Sequence, residues 1–150
     1  MKIIVTTECV AQPEVAFAAH LDIPNWPRFI DSIERVGILT PGPVTLGTRF
    51  RATRIVGGQP ESRELKLAAM DVPWRLVFIS VDLGLRRVLT SEIVPHGSGS
   101  RLTLTFQTVP LTFAARLRGL FSFLKRRSVR KQLQRDVKDF AREANRRVGR

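Results

Sequence analysis

The chain has 150 residues, 43% of them hydrophobic, which is room for one domain with a substantial core. It holds no apolar run near the ~20 residues that span a bilayer, and its single cysteine excludes an internal disulfide framework. The net charge of +12 is uneven: 13 of the 25 Lys and Arg, but only 3 of the 13 Asp and Glu, fall between Phe113 and Arg150. A basic block of this kind suits either an anionic partner or the wet face of a helix.

Met1-Lys2-Ile3-Ile4-Val5 is too brief an apolar run for a signal peptide. With one cysteine, the expectation is a cytoplasmic protein whose residues 1–150 form a single domain. Lys2 to Val10 alternates apolar and polar residues and predicts a strand with Ile3 or Ile4 facing the core. Pro13 and Glu14 suit the first turn of a short helix carrying Val15, Phe17, Ala18 and Leu21. Asp22-Ile23-Pro24-Asn25-Trp26-Pro27-Arg28-Phe29 follows. Two prolines three residues apart cannot share a helix interior, so the octet predicts a rigid break before a second short helical piece.

Ile33 to Leu39 reads as a strand ended by Thr40-Pro41-Gly42-Pro43. Four further strands are expected over 47–55, 61–70, 74–81 and 85–94, the last closed by Pro95-His96-Gly97-Ser98-Gly99. Ser100 to Val109 alternates most clearly, with Leu102, Leu104 and Phe106 on one face. Short links between consecutive strands predict an antiparallel meander. From Phe113 the period becomes helical: Phe113, Leu117, Leu120, Phe121 and Leu124 form one stripe, and Val129, Leu133, Val137, Phe140, Ala144 and Val148 another. The stripes fall out of phase across Lys125-Arg126-Arg127-Ser128, where a kink or tight turn is expected.

This order of elements resembles the polyketide cyclase/dehydrase-like branch of the START and pollen-allergen (SRPBCC) superfamily. The resemblance rests on Pro13–Phe17, Asp22–Phe29, Leu46-Gly47-Thr48-Arg49-Phe50, Asp71-Val72-Pro73-Trp74-Arg75-Leu76-Val77-Phe78 and Gly99–Thr103. It covers about the whole chain. It implies an α+β helix-grip fold: two short helices after the first strand, and a curved antiparallel sheet of six to seven strands around a long C-terminal helix. The resemblance also implies a cavity between sheet and helix that binds a hydrophobic small molecule, lipid or polyketide-like. A polyketide cyclase or dehydratase acting in the same cavity is the alternative.

Within that frame, alternation places Phe50, Ala52, Leu65, Leu67, Leu76, Phe78, Leu89, Ile93, Leu104 and Phe106 on the inner face. Trp26 and Phe29 are expected to close one end, and Leu133, Val137 and Phe140 to contribute from the helix. These side chains either line a cavity or pack a dry core. Arg54 and Ser91 are the inward polar candidates; Arg54 either meets a carboxylate and orients a ligand or leaves the strand end for water. Glu64 and Lys66 share the opposite face from Arg63.

The conventional catalytic signatures are missing from the sequence. It has no phosphate-binding glycine loop, nucleophile elbow or Cys-x-x-Cys, so no cofactor is expected. Two histidines are too few for a His-based metal site, and no metal is expected: His20 suits a helix end and His96 a solvated turn. Cys9 reads as an inert buried thiol. The chain contains no tyrosine, which excludes a cyclase mechanism resting on a phenol. The apolar and basic residues of 113–127 could lie on an anionic membrane surface. Nucleic acid is not expected as a partner, because no readout motif accompanies the basic residues. Nothing in the sequence speaks to the oligomeric state.

Overall fold

The alternating segments form seven strands of one antiparallel sheet in the computed structural model, which describes residues 1–121 and 123–149. β1 (Lys2–Cys9) leads into α1 (Pro13–Leu21), a 3-10 turn (Ile23–Asn25) and α2 (Trp26–Phe29). A meander follows: β2 (Ile33–Ile38), β3 (Arg49–Val56), β4 (Gln59–Asp71), β5 (Arg75–Asp82), β6 (Leu85–His96) and β7 (Gly99–Pro110). β1 closes the order β1-β7-β6-β5-β4-β3-β2 by pairing with β7. α3 (Phe113–Gly119) and α4 (Phe123–Val148) complete the chain.

Pro13 occupies the first helical turn of α1, where its missing N–H costs nothing, and Asp22 ends that helix. Pro24 and Pro27 begin the next two pieces in the same way. The octet therefore folds as a chain of short starts. Register shifts at Ile33/Arg35 and Leu67/Ala69 mark irregularities in the ladders. Such bulges bend a sheet, and this sheet curves around α4.

One sequence expectation is corrected here. The helical break does not fall at Lys125–Ser128; that run lies within continuous α4, and α3 ends earlier, at Gly119. Glycine is the poorest helix former after proline, whereas Lys and Arg propagate a helix well and repel one another little when solvated. The phase change marked a real break but not its position. α4 then buries Leu133, Val137, Phe140, Ala141 and Ala144 against the sheet and α1. Of the two candidates in β1, Ile3 is fully buried and Ile4 is exposed.

Candidate functional site

The strand register defines a concave face whose two ends differ. Leu76, Ser91 and Leu104 stand abreast across β5, β6 and β7, and Phe78, Leu89 and Phe106 form the next row. Phe50 faces Leu65 across β3 and β4, and Ala52 faces Arg63. At the end nearer α1, the Trp26 ring meets Phe50, Phe78 and Phe140 edge-on, with centroids 5.5, 5.4 and 5.8 Å away. Its Nε1 donates to the His20 carbonyl at 3.2 Å. Each such aromatic pair contributes about 0.5–1.5 kcal/mol beyond its area burial.

Leu67, Leu104 and Val137 are buried around this cluster, as are Ser91 and Leu133. Phe29 leans on Phe140 at 6.1 Å and carries the Arg147 guanidinium over its outer side at 5.8 Å. These residues form a packed floor. Of the sequence candidates, Trp26, Phe50, Leu67, Phe78, Leu104, Val137 and Phe140 belong to it.

Toward the other end the inner face is less completely covered. Leu65, Leu89 and Phe106 point inward yet are only half-buried, as are Val36 and Val129. The first turns of α4 are exposed on all sides, so the helix leaves this part of the sheet uncovered. An apolar concave wall open at one end can admit a hydrophobic molecule. Ala52, which faces Arg63 across β3 and β4, is buried in the core.

Arg54 does not leave the strand for water. Its Nη1 donates to Asp136 Oδ2 at 3.1 Å and also to Ser32 Oγ. The Asp136 carboxylate in addition accepts from Ser32 at 2.9 Å and from Gln132 at 3.0 Å. The pair ties β3 to α4 across one side of the cradle. Two further buried acids continue this seam on α4. Asp139 accepts from the Asp31 backbone at 3.0 Å, and Glu143 binds Arg146 and Arg147. The Arg146 hydrogen bond above all holds the Glu143 carboxyl down to about 2, against the opposing effect of burial.

The remaining ionisable candidates have structural partners. His20 is buried in the floor, its Nδ1 donating to the Ala16 carbonyl at 2.7 Å, and it stacks on Phe140 at 4.1 Å. Burial pushes its pKa down to about 4, so the ring is neutral. Cys9 is buried, and desolvation raises its pKa. His96 is exposed, with Nε2 2.9 Å from Glu8 Oε1. Among the described residues, no group of three or more His, Cys, Asp or Glu is placed to hold a metal ion.

An open groove of about 1040 Å³ lies elsewhere, between the Pro27–Glu34 segment and the polar side of α4. Phe29 is the sole sequence candidate among its lining residues. Arg135, Asp139, Arg142, Glu143 and Arg146 mix both signs of charge there, several already paired with one another, and the groove has no apolar wall comparable to the cradle.

Sequence reasoning passed over Arg87. The alternation that turns Leu89, Ser91 and Ile93 inward does the same to Arg87, which sits between Ser80 and Thr108 in the register. A second surface lies at the same end of the sheet. Thr112 caps α3 by accepting from the Ala115 N–H at 3.1 Å. The Leu111 N–H donates to Gly84 O at 2.7 Å in the β5–β6 turn, and Arg118 donates to Leu83 O. Gly84 has φ +71°, and a Cβ there would stand 2.5 Å from Thr112 Oγ1. α3 buries Ala115 but leaves Phe113 and Leu117 exposed; Leu120 and Phe121, just past its end, and Phe123 and Leu124 at the start of α4 are exposed too.

No family model matches the chain, and no curated protein sequence matches it. Solved structures do match. The aromatase/cyclase Zhui from a Streptomyces species superposes with a TM-score of 0.71 at 17% identity, over 99% of this chain and 95% of that one. A START superfamily protein from Mycobacterium smegmatis gives 0.68 at 15% identity, over 99% and 97%. The di-domain aromatase/cyclase StfQ of the steffimycin biosynthetic pathway gives 0.77 at 13% identity. This chain is covered over 99% of its length there and spans about half, 52%, of the di-domain protein. At these identities the likeness is one of fold: the chain has the helix-grip fold that these proteins share.

Proposed function

We propose that the protein binds a hydrophobic small molecule, of lipid or polyketide-like character, in the open half of the cradle. The observation that carries this reading is the row of inward, half-buried Leu65, Leu89 and Phe106 above a floor packed by Trp26, Phe50, Phe78 and Phe140. Apolar surface left wet on a concave face gains about 25 cal/mol for each Å² that a ligand removes from water. The START and aromatase/cyclase neighbours support a ligand-holding use of this fold.

The cyclase or dehydratase alternative finds less support in the cradle. Its inward cations are arginines, which hold their protons through acid–base chemistry. Asp136 is already occupied by Arg54, Ser32 and Gln132. The test is native mass spectrometry on protein purified from its own cells, followed by denaturing extraction. A stoichiometric apolar molecule is the expected result. A folded protein that carries nothing and takes up no N-phenylnaphthylamine, a neutral apolar fluorophore, contradicts the reading.

A second observation favours docking of the mouth on an anionic lipid surface. Phe113, Leu120, Phe121, Phe123 and Leu124 are each about two-thirds exposed or more. Arg116, Arg118, Lys125, Arg126, Arg127, Arg130 and Lys131 accompany them, with no acidic residue between 113 and 131. Exposed aromatics beside a one-signed charge block match the composition of an interfacial helix. Among the described residues, no helix is long and apolar enough to cross a membrane. The patch would therefore rest on the surface, at the end where the cradle opens.

A further inference from the structure

The inner wall of the cradle is mostly apolar, and near its mouth two arginines stand on β4 and β6, the strands on either side of β5. Arg63 on β4 is the nearer to the rim. It has counterions of its own: Glu61 at 2.6 Å and Asp82 at 3.8 Å. Arg87 lies two residues into β6 from the β5–β6 turn and one inward step above Leu89. Its Nη1 is buried and has no hydrogen-bond partner among the described residues. A buried guanidinium nitrogen without an acceptor is a costly arrangement, and folded proteins seldom leave one so unless something else fills the place.

We infer that Arg87 is the head-group site of the cradle, and that the ligand is amphipathic: an apolar body along Leu65, Leu89 and Phe106, with a carboxylate or similar anionic oxygen on Arg87. This rests on the ligand-binding reading above and adds the chemical class of the ligand. The geometry supports it in three ways. The register sets Arg87 inward, beside the half-buried Leu89 and Phe106 row. Glu61 and Asp82 are engaged by Arg63 at the rim, so their charge does not substitute for an acceptor on Arg87 Nη1. Burial, and next the neighbouring Arg63 charge, disfavour the charged form of Arg87, which an anion at this point would relieve. Arg54, the other inward arginine, is committed to Asp136 and Ser32 on the β3 side.

The experiment uses the full chain and two probes of equal chain length, dodecanoate and dodecanol, each displacing N-phenylnaphthylamine at neutral pH. The wild type is expected to favour dodecanoate by about tenfold or more, the range of one net charge-assisted hydrogen bond. In Arg87→Leu the ratio of dodecanoate to dodecanol affinity falls to about one, and Arg87→Lys keeps part of the preference. Equal affinity of the two probes in the wild type, or a carboxylate preference that survives Arg87→Leu, overturns the inference and leaves the cradle standing. Failure of the wild type to take up any of the three molecules removes both. The wild-type comparison needs no variant, so a poorly folding Arg87→Leu does not shield the inference.

Discussion

His20 shows how a residue type associated with chemistry becomes structural once its neighbours are known. One ring nitrogen is satisfied by Ala16, the other is buried without a partner among the described residues, and a phenylalanine covers the face. The native ring stays neutral down to about pH 4, whereas the unfolded chain takes up its proton near the ordinary histidine value of 6.5. The folded pKa is lowered, so the stabilisation is present above pH 6.5 and is lost as pH falls from there toward 4. Its size is about 3 kcal/mol. Glu143, with its pKa held near 2, adds a separate loss between about 4.5 and 2. Urea unfolding at pH 7 and pH 4.5 should therefore show a drop in stability about 2 kcal/mol smaller in His20→Leu than in the wild type. Parallel drops in the two proteins would mean that the native ring titrates normally.

At the scale of elements, α3 and the start of α4 carry the prediction. Each basic residue held near anionic headgroups contributes about 1 kcal/mol. Replacing Lys125, Arg126, Arg127 and Lys131 by Gln should weaken partition onto phosphatidylserine-containing vesicles by about two orders of magnitude or more. Raised salt should do the same to the wild type. Sedimentation with vesicles checks both, and binding that ignores these four charges would leave the patch without its lipid partner.

How far the elements were legible also shows here. The strands were readable because a half-buried strand must alternate, and α1 and α2 because proline fixes where a helix can start. The α3–α4 break was legible as a phase change but misplaced, since two offset stripes locate a discontinuity only to within the gap between them. The Arg54–Asp136 pair joins residues 82 positions apart, which no local pattern records. Arg87 could have been placed inward from Leu89 alone. That its Nη1 has no partner depends on Arg63 engaging Glu61 and Asp82, which is a tertiary fact.

On the scale of the whole molecule, the cradle divides into a packed floor near α1 and an open mouth near α3. The acidic seam of Asp136, Asp139 and Glu143 fastens one side of α4 to β3 and the α2–β2 segment. Arg130 donates to the Ile4 carbonyl of β1 on the other side, at 3.2 Å. In the proposed reading, a helix held on both sides with its first turns exposed would give a ligand its entrance at that end, beside Arg87 and the exposed apolar patch. Holding an amphipathic molecule and meeting a lipid surface would then be functions of the same end of the protein.

The most direct test of that claim is a fluorescence titration of N-phenylnaphthylamine into the wild type and Leu89→Trp. The variant places a larger side chain at the half-buried inner position between Phe78 and Phe106, above the floor. The account predicts saturable uptake by the wild type and at least about a tenfold loss in a variant that melts as the wild type does, equivalent to about 1.4 kcal/mol. Unchanged uptake in a folded Leu89→Trp would place the bound molecule outside the cradle and contradict the account.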